Sequence, residues 1–185
     1  MAAPSPVADP AEVLAFWRAA GAAKWFTHDP AFDTEIRARF LPLWQAAAAG
    51  HLWTWEDAPE SALALAIVLD QFPRNMFRHQ ARAFATDSRA RAVVGRAIAR
   101  GFDLAVPRAE QLFFYLPFEH SENSADQERS IALFRATGDA GLLKWAEIHA
   151  DIIRRFGRFP HRNSALGRTT THEEQVFLDA GGFAG

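Results

Sequence analysis

The chain has 185 residues, 49% of them hydrophobic, a formal net charge of −2 and no cysteine. That length suits one domain with a real core, and the lack of thiols excludes disulfides, thiolate metal sites and cysteine nucleophiles. The composition fits a cytoplasmic protein: the longest apolar run, Ala62 to Leu69, is too short to span a bilayer, and Met1 to Ala8 has neither the basic start nor the long apolar region of a signal peptide.

The charge is banded. Residues 1–70 hold four basic and nine acidic side chains, whereas residues 71–109 hold eight arginines against Asp87 and Asp103. Residues 110–151 return to three basic against eight acidic, and 152–185 to five against three. An arginine band can meet phosphates or nucleic acid. Pairing with the acidic segments on either side is the favoured reading, and the presence of only two lysines, Lys24 and Lys144, weakens a nucleic-acid partner further.

In chain order, Asp9-Pro10-Ala11-Glu12 predicts a helix start, with Asp9 as cap, Pro10 at the first position and Glu12 reaching back. Val13, Leu14, Trp17 and Ala20 form its apolar face and Gly21 its end. Asp29-Pro30 repeats the start, and Phe32, Ile36, Phe40, Leu43, Trp44 and Ala47 recur at helical spacing up to Gly50. Five of the six tryptophans lie before residue 56, which predicts a heavy aromatic core there. A third helix is expected from about Asp57 to Gln71, apolar on all sides between Ala62 and Leu69 and therefore central, with Pro73 forcing a break. Asp87 can cap a helix through Ala99, with Gly101 as its stop; Pro107 opens a short helix that stops at Pro117. Ser124 or Asn123 can cap the next helix. After Gly138, a further helix places Leu142, Trp145, His149, Ile152 and Phe156 in one apolar stripe up to Gly157. Thr171-His172-Glu173-Glu174 reads as a capping box opening a last helix through Asp179. No strand pair and no glycine-rich phosphate loop is legible. The pattern predicts an all-α chain of about eight helices in antiparallel pairs, a single domain over 1–185 with fraying at 1–8 and 181–185.

Three corners change abruptly from apolar to chemically capable. Asp70-Gln71-Phe72-Pro73-Arg74-Asn75 and Arg158-Phe159-Pro160-His161-Arg162-Asn163 both join a Phe-Pro to an Arg-Asn. An arginine presents a planar fork and an asparagine an amide, a combination suited to an anion. The competing reading of the first corner is purely structural, Asp70 pairing with Arg74 while Asn75 caps the next segment. The third corner, Glu119-His120-Ser121-Glu122-Asn123, offers a histidine between carboxylates for general acid–base work. Its spacing fits no zinc motif, and Ser121 lacks a nucleophile elbow. Asp126 and Gln127 come next, in a first helical turn, where acidic residues are expected from the dipole alone. His149 lies on an apolar stripe, where a histidine is more often a hydrogen-bonded core residue than a ligand.

Those corners, with Ala83-Phe84-Ala85-Thr86-Asp87, Lys24-Trp25-Phe26 and Phe32-Asp33, resemble the bacterial domain-of-unknown-function family numbered 924 over nearly the whole chain. The resemblance implies a tetratricopeptide-like, compact helical solenoid, and no activity. Together these readings point to a helical protein whose polar pocket holds a small anionic ligand. Asp70, Arg74, Asn75, Arg162, Asn163, Glu119 and His149 would bind, and His120, Glu122 and His161 would transfer protons, with no metal and an unassigned cofactor. The alternative is a scaffold taking a peptide in a helical groove. Convergence of the three corners on one pocket would favour the ligand site.

Overall fold

Proline placed just after aspartate starts the first long helices. In the computed structural model, which describes residues 9–183, Asp9 accepts the Glu12 N–H at 2.8 Å and opens α1 (Pro10–Ala20). Glu12 does not reach back; its carboxylate pairs with Arg39 at 3.2 Å. A single turn, α2 (Ala22–Trp25), precedes α3 (Pro30–Ala48), where Asp29 accepts the N–H groups of Ala31 and Phe32. The fraying expected at 1–8 and at 184–185 concerns residues outside those described.

The described residues up to Arg78, with Arg82–Phe114, make one compact unit; His79–Ala81 and the residues from Tyr115 onward make a second. In the first, α4 (Pro59–Met76) is the centre. It packs against α1, α3 and α5 (Asp87–Ala99), and every residue from Ala62 to Pro73 is buried. Trp17, Phe32, Phe40, Phe72 and Phe113 form a continuous ring cluster over it. The heavy aromatic core is therefore present, although Trp53, in a 3₁₀ turn, is 68% exposed.

Two prolines expected to end helices lie inside them. Pro73 sits within α4, and Pro117 within α6 (Leu112–Glu119). A proline at position 73 leaves the Leu69 carbonyl without its helical donor. The Thr86 hydroxyl, 2.6 Å away, supplies one, and itself accepts from Trp44 Nε1 at 3.2 Å. Thr86 stands at the N-cap of α5, so Asp87 is its first residue and not its cap. Pro42, inside α3, frees the carbonyl of the exposed Ala38, which water can serve.

The second unit begins within α6, at Tyr115. Asn123 caps α7 (Ser124–Thr137), and Asp139 caps α8 (Ala140–Phe156), which packs on α7. The expected capping box is formed: Thr171 and Glu174 bond reciprocally at the start of α9 (His172–Asp179), which packs on a 3₁₀ turn at Pro160–Arg162. The stripe on α8 is rotated from its predicted position, for Ala146, His149, Ala150, Ile152 and Ile153 are buried while Trp145 is 52% exposed. Among the described residues there is no strand, and no helix is long and apolar enough to cross a membrane.

Candidate functional site

Asp70, Arg74 and Asn75 occupy the last turns of α4 and turn into the first unit. Arg74 Nη1 is 3.2 Å from Asp70 Oδ1, and its two Nη groups donate to the two oxygens of Asp87 at 3.1 Å each. Burial opposes the Arg74 charge, but Asp70 and Asp87 outweigh it and raise its pKa. Asn75 caps nothing; its amide donates to Asp33 Oδ1 at 2.7 Å, and Arg78 clasps the same carboxylate with Nε and Nη2. The fork and amide of this corner meet carboxylates of their own unit. Elsewhere in the arginine band, Arg96 is bidentate on Glu56, whereas Arg100 donates to the Glu56 and Asp57 carbonyls and Arg82 stacks on the rings of Trp44 and Phe77.

The other two corners lie in the second unit. Gln127, one turn into α7, gathers the end of α6: its Nε2 donates to the carbonyls of Glu119 at 2.7 Å and Ser121 at 2.6 Å. The Ser121 hydroxyl donates to Asp126 at 2.6 Å. These bonds fix the turn that presents Glu119, His120 and Glu122. Glu119, 4% exposed, brings Oε1 to 3.3 Å from Nδ1 of His149, itself 5% exposed. The Trp145 carbonyl lies 2.9 Å from the same Nδ1. A carbonyl and a carboxylate both accept, so Nδ1 of His149 carries a proton.

Glu122 was expected to transfer protons, and the structure gives its carboxylate two further partners. Arg168 donates to Oε2 at 2.8 Å and Oε1 at 3.0 Å, and the Phe159 N–H donates to Oε1 at 2.8 Å. Burial disfavours the Glu122 charge, but Arg168 and Phe159 prevail and hold its carboxyl below the usual range. Arg168 also donates to Asn163 Oδ1 at 3.0 Å, and the Asn163 amide donates to Glu174 at 3.1 Å. Arg158 forks onto Glu174 at 2.6 and 2.9 Å; that bond, ahead of every other influence, takes the Glu174 carboxyl down to about 2. Glu122, Arg168, Asn163, Glu174 and Arg158 thus form one chain of charge-assisted bonds that ties the turn after α6 to α9.

Arg162 donates to the His120 carbonyl at 3.0 Å and stacks 4.4 Å above the Phe159 ring. His161 projects into the same region. Burial, then the positive Arg162 and the neighbouring His149, push its pKa down to about 3, so the ring is neutral at pH 7. Its Nδ1 is buried and makes no hydrogen bond among the described residues. Phe183 lies edge-on to both histidines, its ring 4.4 Å from His149 and 5.2 Å from His161.

The second unit therefore brings together Glu119, His149, His161 and Arg162, with His120 adjoining through its carbonyl. Asn163 and Glu122 stand beside them in the supporting network. Arg158, Arg168, Glu174 and Phe183 were not anticipated as parts of the site. Arg168 had a faint signal, since Glu122 needed a cation and the 163–171 loop holds one. No described His, Asp and Glu side chains group in a way that could hold a metal ion.

Residues 13–182 match the family described as "Bacterial protein of unknown function (DUF924)". The chain belongs to that family. It is also similar to the solved structure of a protein of unknown function from Agrobacterium tumefaciens, at 47% sequence identity and a TM-score of 0.90, covering 92% of this chain and 97% of the other. No curated protein matches it.

Proposed function

We propose that this DUF924 protein binds a small anionic molecule, a carboxylate or phosphate, in its second unit at Arg162, His161, His149 and Glu119. The buried, unbonded Nδ1 of His161 carries the reading, because an orphaned ring nitrogen is costly unless a ligand or solvent group completes it. Arg162 supplies the positive charge. His161, neutral when empty, takes up a proton as the anion arrives and becomes a donor to it. The Glu119–His149 pair fixes the tautomer of a second imidazole, the arrangement in which a histidine serves as a general base. Glu122 and Asn163 would hold the Arg162 loop through Arg168, and His120 would line the entrance. Asp70, Arg74 and Asn75 would contribute only to the frame of the first unit.

Calorimetric titration of the purified protein with inorganic phosphate and with citrate tests this, in buffers of different ionisation enthalpy. Saturable binding with proton uptake is expected, and its loss in His161→Asn. Native mass spectrometry that finds no retained small molecule, together with an absence of anion-dependent thermal stabilisation, would remove the reading. A tetratricopeptide-like scaffold that takes a peptide is favoured by one observation, the exposed Trp145 near a groove along α8. Peptide-library binding that is lost in Trp145→Ala and indifferent to His161→Asn would establish that alternative.

A further inference from the structure

The segment after α9 is built to lay one ring over the histidines. Gly181 takes a φ of +77°, and a Cβ on Gly182 would fall 2.5–2.6 Å from three carbons of the Phe177 ring. The Gly182 N–H returns to the Phe177 carbonyl at 3.0 Å and that of Gly181 to Leu178 at 3.1 Å. A side chain at 181 would be strained, and one at 182 would displace Phe177. The backbone therefore passes directly across Phe177 and turns Phe183 inward. There its ring meets His149 and His161 at interplanar angles of 62° and 80°, the edge-to-face geometry that aromatic rings favour. Phe183 also borders an open groove of about 360 Å³ whose apolar lining is Ile148, Ile152 and Phe177, with Lys144, Glu147 and Asp151 around it. A displaced ring has apolar surface to settle on there.

We infer that Phe183 is the gate of the histidine cluster: it closes over His149 and His161, and a ligand reaches them only when the ring withdraws along the groove beside α8. The inference rests on the binding role proposed for those histidines. It also adds a conformational step, so that the on-rate of an anion is set by the gate and not by diffusion. Hinge and stop are separate residues, Gly181 permitting the turn and Gly182 the close passage over Phe177.

Carbethoxylation by diethyl pyrocarbonate, tracked residue by residue with mass spectrometry, reads the gate without any ligand. The reagent attacks neutral imidazole that it can reach, so exposed His28, whose side chain is 65% accessible, serves as the internal reference. In the wild-type chain His161 should react more slowly than His28. Phe183→Ala should accelerate His161 by about tenfold or more while leaving His28 unchanged, because closure and not global unfolding is being removed. Phe183→Leu should remain slow, and Gly182→Ala, with Phe183 intact, should accelerate His161 as well. Equal His161 rates in wild type and Phe183→Ala overturn the gate, as does an acceleration shared by His28. Phosphate or citrate should then protect His161 in the opened variant. If the rates respond to Phe183 but neither anion protects, the gate stands and the anion-binding reading falls.

Discussion

His161 and Glu174 show how single residues couple this fold to protons. Burial and Arg162 lower the His161 pKa from 6.5 to about 3, so between those values the unfolded chain holds a proton that the native ring refuses. Stability should be complete above about pH 6.5 and fall as the pH drops toward 3, at up to about 1.4 kcal/mol per pH unit. Urea denaturation across that range should give a flatter profile for His161→Asn. Glu174, lowered from 4.5 to about 2 by Arg158, adds a second loss that begins as the pH falls through the ordinary carboxylate range. Glu122→Gln should cost roughly 2–3 kcal/mol in the same assay, since Arg168 would lose one of its two carboxylate oxygens and the charge that balances it in a partly buried site. An exposed control, Glu128→Gln, should change little. Local spacing places Glu122 in a cluster of carboxylates that lacks positive charge. The cation is Arg168, which follows Gly167 at a φ of +64°. A partner 46 residues away cannot be seen in local spacing.

Helices show which signals are local. Asp9, Asp29 and the Thr171–Glu174 box were legible because a cap and the N–H groups it serves lie within three residues. The prolines were not. Whether a helix survives one depends on what serves the carbonyl it frees: water suffices at exposed Ala38, whereas buried Leu69 needs a hydroxyl from the start of α5. Thr86→Val, which keeps the shape and removes that hydroxyl, should lower stability by about 2 kcal/mol and leave Trp44 Nε1 without its acceptor. The shift is measurable as a lower urea midpoint, with tryptophan fluorescence as the probe. Trp145 illustrates a different limit. Its spacing from His149 put it on the buried stripe, but a stripe drawn from periodicity has an edge, and Trp145 lies outside it at 52% exposure.

His161 and Glu174, whose pKa values are lowered to about 3 and about 2, both lie in the second unit. Hydrogen exchange at about pH 4 should therefore show α7, α8 and α9 losing protection ahead of α3, α4 and α5. Simultaneous loss would mark one cooperative domain, which the sequence length suggests. The all-helical class was readable from capping and periodicity alone; the composition of the site was not, because it depends on which corners share a unit. The bond from Thr86 to Leu69 also bears on the order of events in folding. Helix α4 cannot finish its own ladder: one rung is held by a residue 17 positions further on. Its last turns and the start of α5 should then become ordered in a single step, and substitutions at Leu69 and Thr86 should slow refolding in equal proportion to their effect on stability.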